Sequence, residues 1–343
     1  MNQSQPKPIA YFQWLRLLAA AAVVLMHTAG KQWSAISCET AEWAVLTIYD
    51  GFVRWPVPVF VMITGALFLP RATSMKTILT RYIPRMALAF VLWSGIYALL
   101  AYWRGASAEA ALLKFVGGEY HLWYLPFLCG VYLALPFVQK IVTDERLGDQ
   151  LLLTALVVAL AIPWLADLVT ALLPAASGIV RSLENSLHYT FFFDHLSLLL
   201  LGHYLHRREL SPACRRTLYV LGLLGAILTG PATIWISRRT GLQSSLFFDH
   251  AAPGTLLAAA AIFVFAKYNL TKRPKAVDLL ARLSFGVYLS HVLILEILAI
   301  SGIQALTCNP VWFVPTLAAA VFILAALTSW ILGKLPLVGR FLA

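Results

Sequence analysis

The chain has 343 residues, of which 60% are hydrophobic and only 12% charged, about half the charged share of an ordinary soluble domain. Water is therefore excluded as its principal solvent. The formal net charge of +11 would suit a nucleic-acid partner, but the basic residues sit at the ends of apolar runs instead of forming one polar stripe. They read as membrane topology signals, and no nucleic acid is expected.

The apolar runs recur with short polar breaks, and segments such as Leu151 to Leu160 are continuously apolar where a barrel strand would alternate. The expected fold is all-α: a polytopic membrane helical bundle of about ten transmembrane helices, forming a single domain over 1–343. Windows of membrane-spanning length fall near 9–29, 43–69, 79–103, 120–140, 150–173, 187–206, 215–237, 251–268, 282–303 and 311–333. Eighteen of the 26 lysines and arginines then fall on the side of the N-terminus and six on the other, with Arg16 and Arg54 inside spans. That asymmetry puts both termini in the cytoplasm.

The first window is expected to be an uncleaved helix, because Arg16 and His27 are foreign to a signal peptide. They are eleven residues apart, close to three helical turns, so they face the same way at depths differing by roughly 16 Å. An ionisable group at such depth is a functional candidate, although snorkelling of Arg16 and capping by His27 would serve equally on spacing alone. The second window contains Trp55-Pro56-Val57-Pro58, where proline removes a backbone donor and should break the helix. Arg54 just before it can pair with Asp50 at i, i+4.

Arg81 and Arg85 open the third window on one helix face, with Arg71 and Lys76 before them, and could form a cytoplasmic phosphate site. Glu119, His121 and Trp123 open the fourth on the outer side, where a carboxylate and an imidazole could orient or proton-couple an acceptor hydroxyl, or simply be solvated. Asp194 and His195 lie near the middle of the sixth, and Asp194 is expected to be hydrogen-bonded, ion-paired or protonated. Ser284, Tyr288 and His291 form a polar stripe along the ninth, facing a cavity or another helix. Cys38, Cys129, Cys214 and Cys308 make no CxxC and no metal-like cluster, so no metal site is expected.

Arg16 with ten residues before His27, Val57 to Gly65, Arg81 with Arg85, His121-Leu122-Trp123-Tyr124-Leu125, and Phe285 to His291 together give the chain a resemblance to the acyltransferase-3 family over nearly its whole length. In particular it resembles small inner-membrane members that O-acetylate glycopolymers and lipid-linked sugars. The resemblance implies transfer of an acyl group, commonly acetyl, from cytoplasmic acetyl-CoA to a sugar hydroxyl at the outer face of a bacterial inner membrane. It makes His27 the catalytic histidine and Arg16 its companion. CoA phosphates would meet Arg81 and Arg85, and His121, Trp123, Tyr288, His291 and Glu119 would serve the acceptor. Acetyl-CoA enters as co-substrate, with no permanently bound cofactor and no metal. The imidazole of His27 could act as general base or carry the acyl group. Two departures stand out: Gln13 occupies a position acidic in many members, and the usual Ser-Gly reads Thr64-Gly65. The competing reading is a secondary transporter or lipid-linked sugar flippase, which also uses broken helices and buried ionisable groups.

Overall fold

The computed structural model describes residues 9–180, Ser182, 194–336 and Gly339, and these contain helices and no strand. Nine helical stretches among them are long and apolar enough to cross a membrane. Of the sixth expected window, 187–206, the first seven residues and the side chain of Asp194 lie outside the description, as do Lys7, Arg181 and Arg340 from the charge count. Its described part is a 14-residue helix.

In chain order the helices are α1 (Ala10–Gly30), α2 (Ala41–Phe52), α3 (Pro56–Phe68), α4 (Met75–Trp103), α5 (Ala108–Gly117), α6 (Tyr124–Val142), α7 (Glu145–Leu172), α8 (Asp194–Arg207), α9 (Pro212–Thr240), α10 (Pro253–Asn269), α11 (Lys275–Ile300) and α12 (Pro310–Leu332). The second window is broken at Trp55-Pro56 as its prolines require, with α2 ending at Phe52 and α3 starting on Pro56.

One element was not expected. The segment between the third and fourth windows contains α5, capped by Ser107, which accepts from the Ala110 amide at 3.1 Å, and ended by Gly118 at φ 75°. It is too short to span a bilayer and exposes Leu112, Leu113 and Val116. Correspondingly α6 begins at Tyr124, and residues 120–123 form a 3-10 turn instead of its first turn.

Two prolines reshape the backbone ladder inside long helices. Ahead of Pro84 and Pro163 the amides of Ile83 and Ile162 bond five residues back, to Ile78 and Val157, making π turns at Ile78–Tyr82 and Leu156–Ala161. Proline donates no bond and its ring crowds the carbonyl a turn earlier, so the neighbouring amide reaches to the next acceptor.

In lipid, helices gain nothing from hiding apolar surface from one another, so close packing must hold them. At the α3–α8 crossing a Cβ on Gly65 would lie 1.8 Å from the Leu199 carbonyl oxygen, and one on Gly202 2.1 Å from that of Met62. Only glycine lets these backbones meet. The two ends of the bundle are tied by polar bonds. At one end Tyr11 Oη shares a hydrogen bond with His206 Nδ1 at 2.5 Å, Trp14 Nε1 donates to the Lys272 carbonyl at 3.0 Å, and Lys267 Nζ donates to the carbonyls of His206 and Arg208 at 3.0 and 2.7 Å. In the adjoining loop, bonds from Tyr268 and Lys267 hold the Glu209 carboxyl below the ordinary carboxylate range. At the opposite end Glu296 of α11 joins Lys31, just past α1, to Arg104, just past α4.

Candidate active site

A cavity of 610 Å³ runs between these two ends, walled by α1, α3, α4, α6, α8, α11 and the segment 248–250. Its walls divide by chemistry. Arg16 from α1, Arg85 from α4 and Arg282 from α11 line one part; His27, Arg54, His121, Trp123, His195 and His250 line the other. Arg85 lies over the Phe285 ring, 5.3 Å from its centroid, and both it and Arg282 are exposed, so the cationic part opens outward. The α1 spacing explains the division: Arg16 and His27 are three turns apart on one face, and both reach the same cavity.

Three imidazoles meet at the far part. The His291 ring centroid lies 5.1 Å from that of His27 and 5.1 Å from that of His121, and His27 and His121 are 6.3 Å apart. His121 reaches the cluster from the 3-10 turn, which α11 holds through Tyr288 Oη donating to the His121 carbonyl at 2.5 Å. His121 and His291 are buried, while His27 is partly open to the cavity. Tyr120 packs edge-on to His27 at 5.2 Å. Among the described residues no group of three or more His, Cys, Asp or Glu is arranged to hold a metal ion.

Of the residues singled out from sequence, Arg16, His27, Arg85, His121, Trp123 and Tyr288 line this cavity, and Ser284 does too. His291 stands behind the wall, fully buried against His27 and His121. Glu119 is off the wall: it is buried and paired with Lys114 of α5 at 2.8 Å. Arg81 is exposed on the π turn and also off the wall, since the regular register that would align it with Arg85 is interrupted there. Arg54 does two things, pairing with the buried Asp50 and stacking 4.0 Å over the Phe248 ring beside the cavity.

Sequence reading passed over Arg282, Tyr132, Phe248, Asp249 and His250, all of which line the cavity. Arg282 looked like one more positive residue at a span's inner end, and 248–250 lie in a connection whose place is set by tertiary packing. His250 stacks on His195 at 4.3 Å with 22° between the rings, which completes a wall that only α8 and this connection together can build.

Chemically, the cavity offers cationic groups for an anionic substrate portion and, further along, imidazoles that can accept and return a proton. Arginine forks match phosphate oxygens, and the second part is lined mainly by imidazole and aromatic rings. Searches of curated proteins and of solved structures give no match for this chain. A family model described as an acyltransferase domain matches residues 9–334, nearly the whole chain. The protein therefore belongs to the acyltransferase-3 family of membrane acyltransferases.

Proposed function

We propose that the protein is an O-acyltransferase of a bacterial inner membrane, moving an acyl group, acetyl in the first instance, from cytoplasmic acyl-CoA to a hydroxyl of a glycopolymer or lipid-linked sugar at the outer face. The observation that carries this reading is one cavity lined by four arginines, Arg16, Arg54, Arg85 and Arg282, and by four histidines, His27, His121, His195 and His250. Charge asymmetry puts the arginine part toward the cytoplasm, where CoA is.

Arg85 and Arg282 would hold the CoA phosphates, with Arg16 further along the path. The thioester would then lie near His27. His27 takes the proton of the acceptor hydroxyl as the hydroxyl oxygen forms a C–O bond to the thioester carbonyl carbon; the C–S bond then breaks, leaving the ester, and the proton passes from His27 to the departing thiolate. Trp123 would offer a face to the acceptor sugar.

The test is thiol release from acetyl-CoA by the purified protein in vesicles that contain native lipid-linked glycans, with wild type beside His27→Ala. Release by wild type that is lost in a normally folded His27→Ala supports the reading. If wild type releases no thiol while labelled glycolipid crosses the bilayer, the flippase reading takes its place.

A further inference from the structure

His291 is the most enclosed ionisable group in the cavity region, and its ring orientation is fixed by its own helix. Its Nδ1 lies 2.8 Å from the Tyr288 carbonyl and 3.1 Å from that of Val287. Carbonyls only accept, so Nδ1 carries the proton and Nε2 is left with a lone pair. That Nε2, at the far end of the ring from the backbone, is buried and has no hydrogen-bond partner among the described residues. A buried acceptor without a donor is costly and needs a reason. Two imidazoles adjoin it at 5.1 Å between centroids: His121, buried and with neither ring nitrogen bonded among the described residues, and His27, the more open of the two to the cavity.

The turn carrying His291 is itself clamped. Tyr97 of α4, 1% exposed, donates its hydroxyl to the Leu289 carbonyl at 3.0 Å and accepts from the Leu293 amide at 3.0 Å. Those two groups are the ends of one i, i+4 step of α11, and His291 sits midway between them. A side chain lodged at such a step fixes the local course of the helix.

We infer that His291 is a positioning residue for His27: its Nε2, unbonded in this structure, accepts the ring N–H of His27 once the His27 ring turns toward it, setting the tautomer and orientation in which the other His27 nitrogen faces the acceptor hydroxyl, while Tyr97 holds the turn that aims it. This rests on the acyl-transfer reading for its consequence, though not for the contact itself. The arrangement is the logic of an oriented general base, with a neutral imidazole where a carboxylate would bring a buried charge. When His27 gains the proton from the alcohol, the N–H it shares with His291 stays bonded. The proton then leaves to the thiolate, and His291 ends unchanged.

The contact is tested without turnover by 15N-histidine solid-state NMR of the full chain in lipid. An unprotonated, hydrogen-bonded His291 Nε2 whose resonance moves in His27→Ala supports the proposal, and a protonated Nε2, or one indifferent to His27→Ala, overturns it. The consequence is tested by acetyl-CoA turnover in the same glycan-containing vesicles. His291→Leu should lower kcat by about 100-fold with KM for acetyl-CoA unchanged, and His291→Gln, which restores an acceptor oxygen, should recover most of it. Tyr97→Phe should lower kcat by about 10-fold in the same pattern. Adding His291→Leu to His27→Ala should cost nothing more; a further loss in the double variant, or no recovery in His291→Gln, overturns the positioning role. Wild type that shows the NMR contact without thiol release would refute the acyl-transfer reading and leave the contact standing.

Discussion

Asp50 shows how one side chain can be held inside the bundle at high stakes: it is 1% exposed, and its charge is balanced by Arg54 one turn later. Removing one partner of such a pair strands the other, so Asp50→Ala should destabilise the protein by about 3 kcal/mol, read as an earlier thermal unfolding transition in lipid-like detergent; an unchanged transition would show that water reaches Arg54. On the cationic wall, Arg85→Ala and Arg282→Ala should each raise KM for acetyl-CoA by about 10-fold with kcat little changed, because they would bind the donor's phosphates equally in ground and transition states. A fall in kcat alone would move those arginines from donor binding to chemistry. Arg85 was legible from its place at the start of a span, whereas Arg282 was not, because a basic residue near a helix's inner end has an equally good explanation in membrane topology. Glu119 shows the opposite case: its sequence neighbours His121 and Trp123 reach the cavity, whereas its carboxylate pairs with Lys114 on α5, an element too short for a hydropathy window.

At the scale of helices, the α3–α8 crossing is set by glycine. Gly65→Ala would drive a Cβ into the Leu199 carbonyl at 1.8 Å, and since that oxygen belongs to backbone the helices themselves must part. A folding yield reduced severalfold, with loss of monodisperse protein on size exclusion, is the expected outcome. Gly130→Ala in α6 meets nothing within 4 Å and should be neutral or slightly stabilising, which makes it the matched control. Equal behaviour of the two variants would mean that the crossing is looser than this geometry. The prolines act at the same scale. The break at Trp55-Pro56 was legible because proline's missing donor is a local property. The π turns before Pro84 and Pro163 were not, because whether a helix kinks, widens or ends at proline depends on the neighbours that accept the displaced groups.

For the whole molecule, the charge asymmetry makes a claim about orientation that two exposed cysteines can check. Cys214 at the start of α9 and Cys308 before α12 are both exposed and unbonded. With the termini in the cytoplasm, a membrane-impermeant maleimide should label Cys308 from the outer face and Cys214 only in inverted vesicles; the reverse pattern would invert the orientation and with it the side from which the donor enters. Sequence by itself determined that the chain lives in a membrane, that it is helical, where most spans lie, and that Arg16 and His27 share a face, because hydropathy, proline chemistry and the helical repeat are properties of neighbours along the chain. The family resemblance was equally legible, carried by short motifs in order. What only tertiary structure decided is which groups from distant spans meet: that Arg282 joins Arg85, that His250 stacks on His195, that Tyr97 bridges a turn of α11, and that His291 stands behind His27. Those meetings depend on how helices rotate and cross, which is fixed by backbone contacts such as Gly65 against Leu199 and by ties such as Glu296 to Lys31 and Arg104, and no periodicity within a single helix encodes them.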